Sequence, residues 1–319
     1  MDMTEVHFIN VGYGDAAFIL QKGPDQQQFS MLIDCGGETT GDDDPAGFRI
    51  TAADYLKTLG IKRIDIVLLS HLHLDHAGGM AAIAENFAVG ELWTNYIPDR
   101  RHWDKKIPAH EDLTAGSENL LKSLRIYVKA LKILESRGTV VRAFTTGFMA
   151  TCPFGEIRIL AGNPALFTRQ SELLNQSFSG GAANAPLGEL DAFINNTSLR
   201  AKISFPDAVF LFAGDIYATE WEKEDISRAD VVKLPHHGHA DSLTEAIAQK
   251  LSAEYVVISV SNTRTDLCPA PQIIDLCERA GSCVLFTDGI GTADGSHDRE
   301  HRSIVFYLNG KDLPAPNFK

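Results

Sequence analysis

The segment Ser70-His71-Leu72-His73-Leu74-Asp75-His76-Ala77-Gly78-Gly79 constrains this chain more than any other, because it sets three imidazoles and a carboxylate within six residues, directly after an apolar run. That run, Ile64-Asp65-Ile66-Val67-Leu68-Leu69, is branched, apolar and too short for a helix, which is the pattern of a buried strand. His71, His73 and Asp75 recur with a period of two, unlike an i, i+4 pair on a helix, so a loop leaving a strand tip is expected to carry them. Neutral imidazole and carboxylate together suit Zn2+ and other first-row divalent ions. Gly78 and Gly79 are expected to let the backbone turn tightly into the next helix.

Metal sites on sheets collect ligands from strand-end loops, so further ligands are expected just past other apolar strands. Asp215 follows Val209-Phe210-Leu211-Phe212-Ala213-Gly214, and His236-His237-Gly238 follows Val231-Val232-Lys233-Leu234. Elsewhere, strands are expected at Glu5–Asn10, Ala16–Gln21, Phe29–Asp34, Glu91–Tyr96, Val140–Thr145, Glu156–Ala161, Leu199–Phe205, Tyr255–Val260, Cys283–Thr287 and Arg302–Leu308. Helices are expected near Thr51–Thr58, Met80–Asn86, Thr244–Leu251 and Pro271–Ala280. From Ser117 to Arg137, Leu120, Leu124, Tyr127, Val128, Leu131 and Leu134 share one helix face; Ser117 can cap its start and Gly138 follows its end. Lys122, Arg125, Lys129 and Lys132 lie on another face, expected to be solvent-exposed. The stretch from Thr168 to Leu190 reads as an irregular loop. Two βα halves, about 1–138 and 139–319, are expected to form a single domain.

The HxHxDH pattern resembles the signature of the metallo-β-lactamase superfamily, and the resemblance extends along the chain. Phe8-Ile9-Asn10-Val11-Gly12-Tyr13-Gly14-Asp15-Ala16 looks like the VGQGD opening of the subgroup that includes the hydrolase domain of the competence DNA-uptake channel and bacterial phosphorylcholine esterase. Leu32-Ile33-Asp34-Cys35-Gly36-Gly37 matches an early Asp-Gly motif; Asn195–Leu199, Leu211–Asp215 and Lys233–Gly238 follow in the subgroup's order, so the match spans about residue 6 to about residue 308.

What this resemblance implies is an α/β fold, an αββα sandwich of two mixed β-sheets flanked by helices, working as a hydrolase through a metal-activated hydroxide. A phosphodiester or related phosphate ester is the implied substrate; a lactone, amide or thioester hydrolase of the same fold, or a non-catalytic metal-retaining regulatory module, is the alternative. One or two Zn2+ ions are expected, with Mn2+ or Fe as alternatives. His71 and His73 would hold the first metal, Asp75, His76 and His237 the second, and Asp215 would bridge them. Where relatives supply a third histidine, this chain has Asn195-Asn196-Thr197-Ser198, so Asn196 is the expected weaker ligand. Asp34 would orient a ligand histidine from behind. Asp75 and His236 are the expected catalytic residues, His236 as acid/base or phosphate contact. Cys268-Pro269 stands where the subgroup often has His-Pro, and Cys268 is expected to be a buried, inert thiol.

A net charge of -13 disfavours binding to long nucleic acid, which depends on Lys and Arg displacing counterions, and leaves a small anionic molecule as the expected partner. The local basic patch Arg100, Arg101, His102, Trp103, Lys105 and Lys106 is expected to be solvated surface. No window approaches the roughly 18 consecutive apolar residues of a membrane helix. No basic segment followed by an apolar core opens the chain, so the mature protein is expected to start where the sequence starts, without a membrane. Five cysteines at 35, 152, 268, 277 and 283, without C-x-x-C spacing, fit the cytoplasm. The pattern carries no signal for oligomeric state.

Overall fold

Near-continuous burial along the central strands gives two sheets covered on both faces there, while the strands Val140–Ala143 and Phe148–Cys152 stay largely exposed. A computed structural model describes residues 3–23, 27–41, 47–104, 113–178, 184–224, 226–260, 268–289, 301–310 and 313–319. Its strands are β1 (Met3–Ile9), β2 (Ala17–Lys22), β3 (Gln28–Ile33), β4 (Arg63–Leu68), β5 (Ala88–Thr94), β6 (Val140–Ala143), β7 (Phe148–Cys152) and β8 (Gly155–Leu160). The remainder are β9 (Arg200–Ser204), β10 (Val209–Phe212), β11 (Val231–Lys233), β12 (Tyr255–Ile258), β13 (Cys283–Phe286), β14 (Ser303–Leu308) and β15 (Asn317–Phe318). One sheet runs β15-β14-β1-β2-β3-β4-β5-β6, the other β13-β12-β11-β10-β9-β8-β7. Both are mixed: pairing is antiparallel from β15 to β3 and from β7 to β10, and parallel from β3 to β6 and from β10 to β13. β6, β14 and β15, from beyond residue 138, complete the first sheet.

Period-two alternation gives each strand two destinations. Val6, Phe8, Ile19, Met31 and Trp93 from the first sheet meet Ile157, Ile203, Phe210, Phe212 and Leu285 from the second in the layer between them. The Phe8 and Phe212 rings stack at 5.6 Å. Phe210 is fully buried there, and truncating such a side chain to Ala costs about 3–5 kcal/mol. On the outer face of the first sheet, Phe18, Leu20, Val67 and Leu92 pack under helices Ala52–Thr58, Met80–Asn86 and Ala115–Ser136. Val232, Val256 and Val284 do the same under helices Glu245–Leu251 and Pro271–Arg279. The layers are therefore helix, sheet, sheet, helix, the αββα sandwich of two mixed sheets expected from the sequence. Among the described residues no helix is long and apolar enough to cross a membrane.

Two local expectations are corrected. The stretch from Thr168 to Leu190 is mostly helical, as Pro164–Ser177 and Asn184–Asp191, with 179–183 outside the described residues. Asn163 caps the first of these, its side chain accepting from Ala165 N at 3.0 Å, and Phe167, Gln170, Leu173 and Leu174 form its buried face. Their spacing was obscured by the Ser, Asn and Gln between them. The long helix starts at Ala115 and its cap is Thr114, whose hydroxyl accepts from Ser117 N at 3.2 Å; Ser117 itself is buried inside the first turn. The basic stripe of that helix is exposed as expected, and its lysines make surface ion pairs, Lys122 with Glu38 and Lys129 with Glu85 at 2.7 Å, and Lys132 with Asp104 at 2.9 Å.

Candidate metal centre

After β4 the chain is strapped to both sheets before it releases its histidines. Leu69 N donates to Trp93 O at 2.8 Å, and Ser70 O accepts from Leu199 N at 2.9 Å. His71 and His73 follow in extended conformation, but Leu74–Ala77 then close one helical turn, so Asp75 and His76 sit on a turn rather than on the expected loop. Gly78 and Gly79 have ordinary helical φ values of -60° and -75°. Space is what requires glycine here: a Cβ on Gly79 would lie 2.1 Å from Cys35 O.

β10 delivers Asp215 through Gly214, which has φ +58° and no room for a Cβ against Ser198 at 2.7 Å. The Ser198 hydroxyl accepts from Asp215 N at 3.0 Å, and Asp215 Oδ1 accepts from His236 N at 3.1 Å. β11 leads through Leu234 and Pro235 to His236 and His237, both left-handed at φ 50°. That conformation costs roughly 1–3 kcal/mol per non-glycine residue and persists only where its surroundings impose it.

Two donor sets converge on Asp215. Asp75, His76, Asp215 and His237 have ligand atoms all within 4.8 Å of one another, as do His71, His73 and Asp215. In the first set, His237 Nε2 lies 3.0 Å from Asp75 Oδ2, and His76 Nε2 lies 3.2 Å from Asp215 Oδ2. In the second, His71 Nε2 is 3.2 Å from His73 Nδ1 and 4.0 Å from Asp215 Oδ2. Each ring has a partner at its other nitrogen: Asp34 Oδ2 for His76 at 2.9 Å, Ser259 O for His237 at 3.2 Å, Ser70 Oγ for His71 at 3.0 Å. Asp34 is itself fixed by Ser70 N and Ser70 Oγ, each at 2.7 Å. Such outer contacts set the tautomer and aim the inner nitrogen. Inner imidazole nitrogens around a shared buried carboxylate are a donor set that fits divalent metal ions.

Electrostatics agree with that reading. Burial opposes charge on every group here, yet His76 and His237 hold Asp75 and Asp215 ionised well below the usual carboxylate range. Against the same penalty, Asp215 and its neighbouring carboxylates push the His76 and His237 rings upward. At His71 burial wins, helped by His76 and His73, and the ring is held neutral. The centre thus carries concentrated negative charge, partly covered by protons where a cation can replace them.

Asn196 makes a contact of its own: its side-chain oxygen accepts from Tyr217 N at 3.1 Å, while Asn195 Nδ2 donates to the Tyr217 hydroxyl at 3.1 Å. Both asparagines hold Tyr217, and Ser198 stands beside His71, its Oγ 3.4 Å from Nδ1. His236 turns away from the two sets, its Nδ1 2.7 Å from Asp241 Oδ1. Cys268 is buried, donates to His237 O at 3.1 Å, and its thiol is pushed up to about 12 by burial. Of the basic patch, Lys105 and Lys106 lie outside the described residues; Arg100 pairs with Glu135, Arg101 with Asp99, and Trp103 is buried.

Sequence reasoning gave no role to Lys233, whose buried ammonium contacts Asp15 and lies 4.0 Å from Asp215 Oδ1. A lysine closing an apolar strand just before two histidines was the available signal. Over the donor sets opens a cavity of about 390 Å3, bordered by Tyr13, Glu38, Asn119, Lys122, Asp191 and His236. The Tyr13 ring packs 4.6 Å from that of His237.

Residues 17–109 match the metallo-beta-lactamase superfamily. ComE operon protein 3 of Bacillus subtilis (strain 168) is 24% identical over 302 residues, covering 90% of this chain and 32% of that protein. The chain therefore spans about a third of that relative's length. Among solved structures, the metallo-beta-lactamase fold protein YhfI from Bacillus subtilis superposes with a TM-score of 0.49 at 12% identity, covering 97% of this chain and 100% of the other. A diphosphatase from the PhnP family gives 0.45 at 13%, covering 97% and 99%.

Proposed function

We propose that this chain, a metallo-β-lactamase superfamily domain by its match over residues 17–109 and its αββα layering, is a metal-dependent hydrolase of small phosphodiesters or related phosphate esters. The observation that carries this reading is the pair of donor sets sharing Asp215 beneath one cavity. Divalent ions bound there, Zn2+ or Mn2+ by ligand chemistry, would polarise a phosphoryl oxygen and acidify a water to a pKa of about 7.

The chain's own residues do the rest. Asp34, Ser259 and Ser70 aim the ligand rings. The carboxylate of Asp241 holds a proton on His236 Nδ1, which leaves Nε2 to take or give a proton at a leaving group in the cavity. Lys122 adds a cation on the cavity wall. A cavity of about 390 Å3 is at the small end for ligand pockets, and with the -13 net charge it favours a small anionic substrate over long nucleic acid. The phosphate-ester class itself is supported by the sequence resemblance to the competence and phosphorylcholine esterase subgroup. We read the chain as one domain. None of its five cysteines forms a disulfide, which suits the cytoplasm.

Purified protein with added Zn2+ or Mn2+ should be assayed against a chromogenic phosphodiester, a lactone and a thioester. Turnover of the diester above the others is expected. A lactone or thioester turned over far faster would replace the substrate class, and metal uptake without turnover of any of the three would favour a regulatory module.

A further inference from the structure

Three of the four candidate ligand histidines have an outer partner that holds the ring, and the fourth, His73, faces Asp191. His73 Nε2 lies 3.5 Å from Asp191 Oδ1, while His73 Nδ1 faces His71. Asp191 belongs to neither donor set within the 4.8 Å limit. It stands at the mouth of the cavity, about one third exposed.

Two independent features of the fold favour that placement. Asp191 is the last residue of helix Asn184–Asp191, where the helix dipole presents its negative end and a carboxylate is unfavourable unless a cationic partner compensates. Local rules are broken in this way mostly where function demands it. The second feature is Gly116 at the start of helix Ala115–Ser136: a Cβ there would lie 2.1 Å from Asp191 Oδ2, so glycine at this position leaves the space the carboxylate occupies. The two helices thus meet with one donating the carboxylate and the other making room for it.

We propose that Asp191 is the positioning residue of the weaker metal set, orienting His73 through Nε2 as Asp34 orients His76 through Nδ1. The inference rests on the metal-centre reading above. A set of two histidines and one carboxylate lacks a third imidazole, so the aim of each ring weighs more there than in the complete set. Helix Asn184–Asp191 thereby governs occupancy of the first metal set.

The test is a calorimetric titration of metal-free protein with Zn2+, comparing wild type, Asp191→Asn and Gly116→Ala, with the melting temperature of each metal-free variant measured alongside. Wild type is expected to show a tight and a weaker step. Asp191→Asn should weaken the second step by about 10–100-fold and leave the tight step and the metal-free melting temperature unchanged. Gly116→Ala should shift the same step in the same direction by displacing the carboxylate. Unaltered isotherms in both variants, a single step in wild type, or equal weakening of both steps would each overturn the role of Asp191. No metal uptake by wild type would instead overturn the metal-centre reading.

Discussion

His237 Nε2 lies 3.0 Å from Asp75 Oδ2, joining side chains 162 residues apart and binding a strand end of one sheet to a strand end of the other. The neighbouring His236 makes no such contact; its Nδ1 faces Asp241 at 2.7 Å. Two successive left-handed residues separate the rings, so adjacent histidines serve different elements.

Replacing His237 with Gln should accordingly abolish metal binding at the complete set. His236→Gln should keep metal stoichiometry and lower turnover by about 10²–10⁴-fold, the usual contribution of a general acid or base. Metal content by elemental analysis and kcat on the same samples decide it; the reverse pattern would exchange the two roles.

Asp75→Ala removes the carboxylate that meets His237 and lies 3.7 Å from His76 Nε2. The expected outcome is loss of the tightly held ion and a fall of several orders of magnitude in hydrolysis. Unchanged metal content and rate in this variant would sink the assignment of the tight set.

How much of this was legible follows chain distance. His71, His73, Asp75 and His76 lie within one strand-end segment, where a period of two marked the first three and the HxHxDH pattern added His76. Asp215 and His237 were legible because each closes an apolar strand. Lys233 and Asp15, 218 residues apart, meet only through the packing of the two sheets, and no local pattern encodes that. Asp191 was hidden for another reason: polar residues between Phe167, Gln170 and Leu174 disguised a buried helix face, and the stretch up to Leu190, next to Asp191, was read as irregular. The contact of Asn196 was not legible either: its side-chain oxygen accepts from the backbone of Tyr217, 21 residues away.

A buried polar chain away from the centre gives a stability prediction. His7 Nε2 lies 3.0 Å from Glu5 Oε2, Lys22 Nζ 2.7 Å from Oε1, and Tyr55 bridges His7 Nδ1 at 2.8 Å to Ser303 Oγ at 2.7 Å. The hydrogen bond with His7, aided by Lys22 and opposed by burial, holds Glu5 down to about 2 from 4.5. A depressed carboxyl stabilises the fold above its unfolded value and loses that contribution as pH falls through the folded one. Glu5→Gln should therefore cost about 1–3 kcal/mol at pH 7, with the gap from wild type closing between pH 4.5 and about 2. Thermal melts of both proteins across that range measure it, and a gap independent of pH would assign the cost to shape rather than charge.

The final prediction concerns protons displaced by metal. Burial disfavours charge on all of the ligand rings, but at His76 it is outweighed by Asp215, Asp75, Asp34 and Asp15, so the metal-free ring retains its proton above the ordinary 6.5. His237 is raised in the same sense. At His71 burial dominates and the ring is already neutral. Only a neutral imidazole can bind a metal, so filling the Asp75, His76, Asp215 and His237 set must expel protons, and its affinity should rise as pH increases through neutrality. The step that engages His71 has no proton to expel from that ring. Calorimetric titration with Zn2+ in buffers of different ionisation enthalpy counts the protons released at each step. A tight step that releases none, or a weaker step that releases more, would contradict the assignment of tight binding to the set built on His76 and His237.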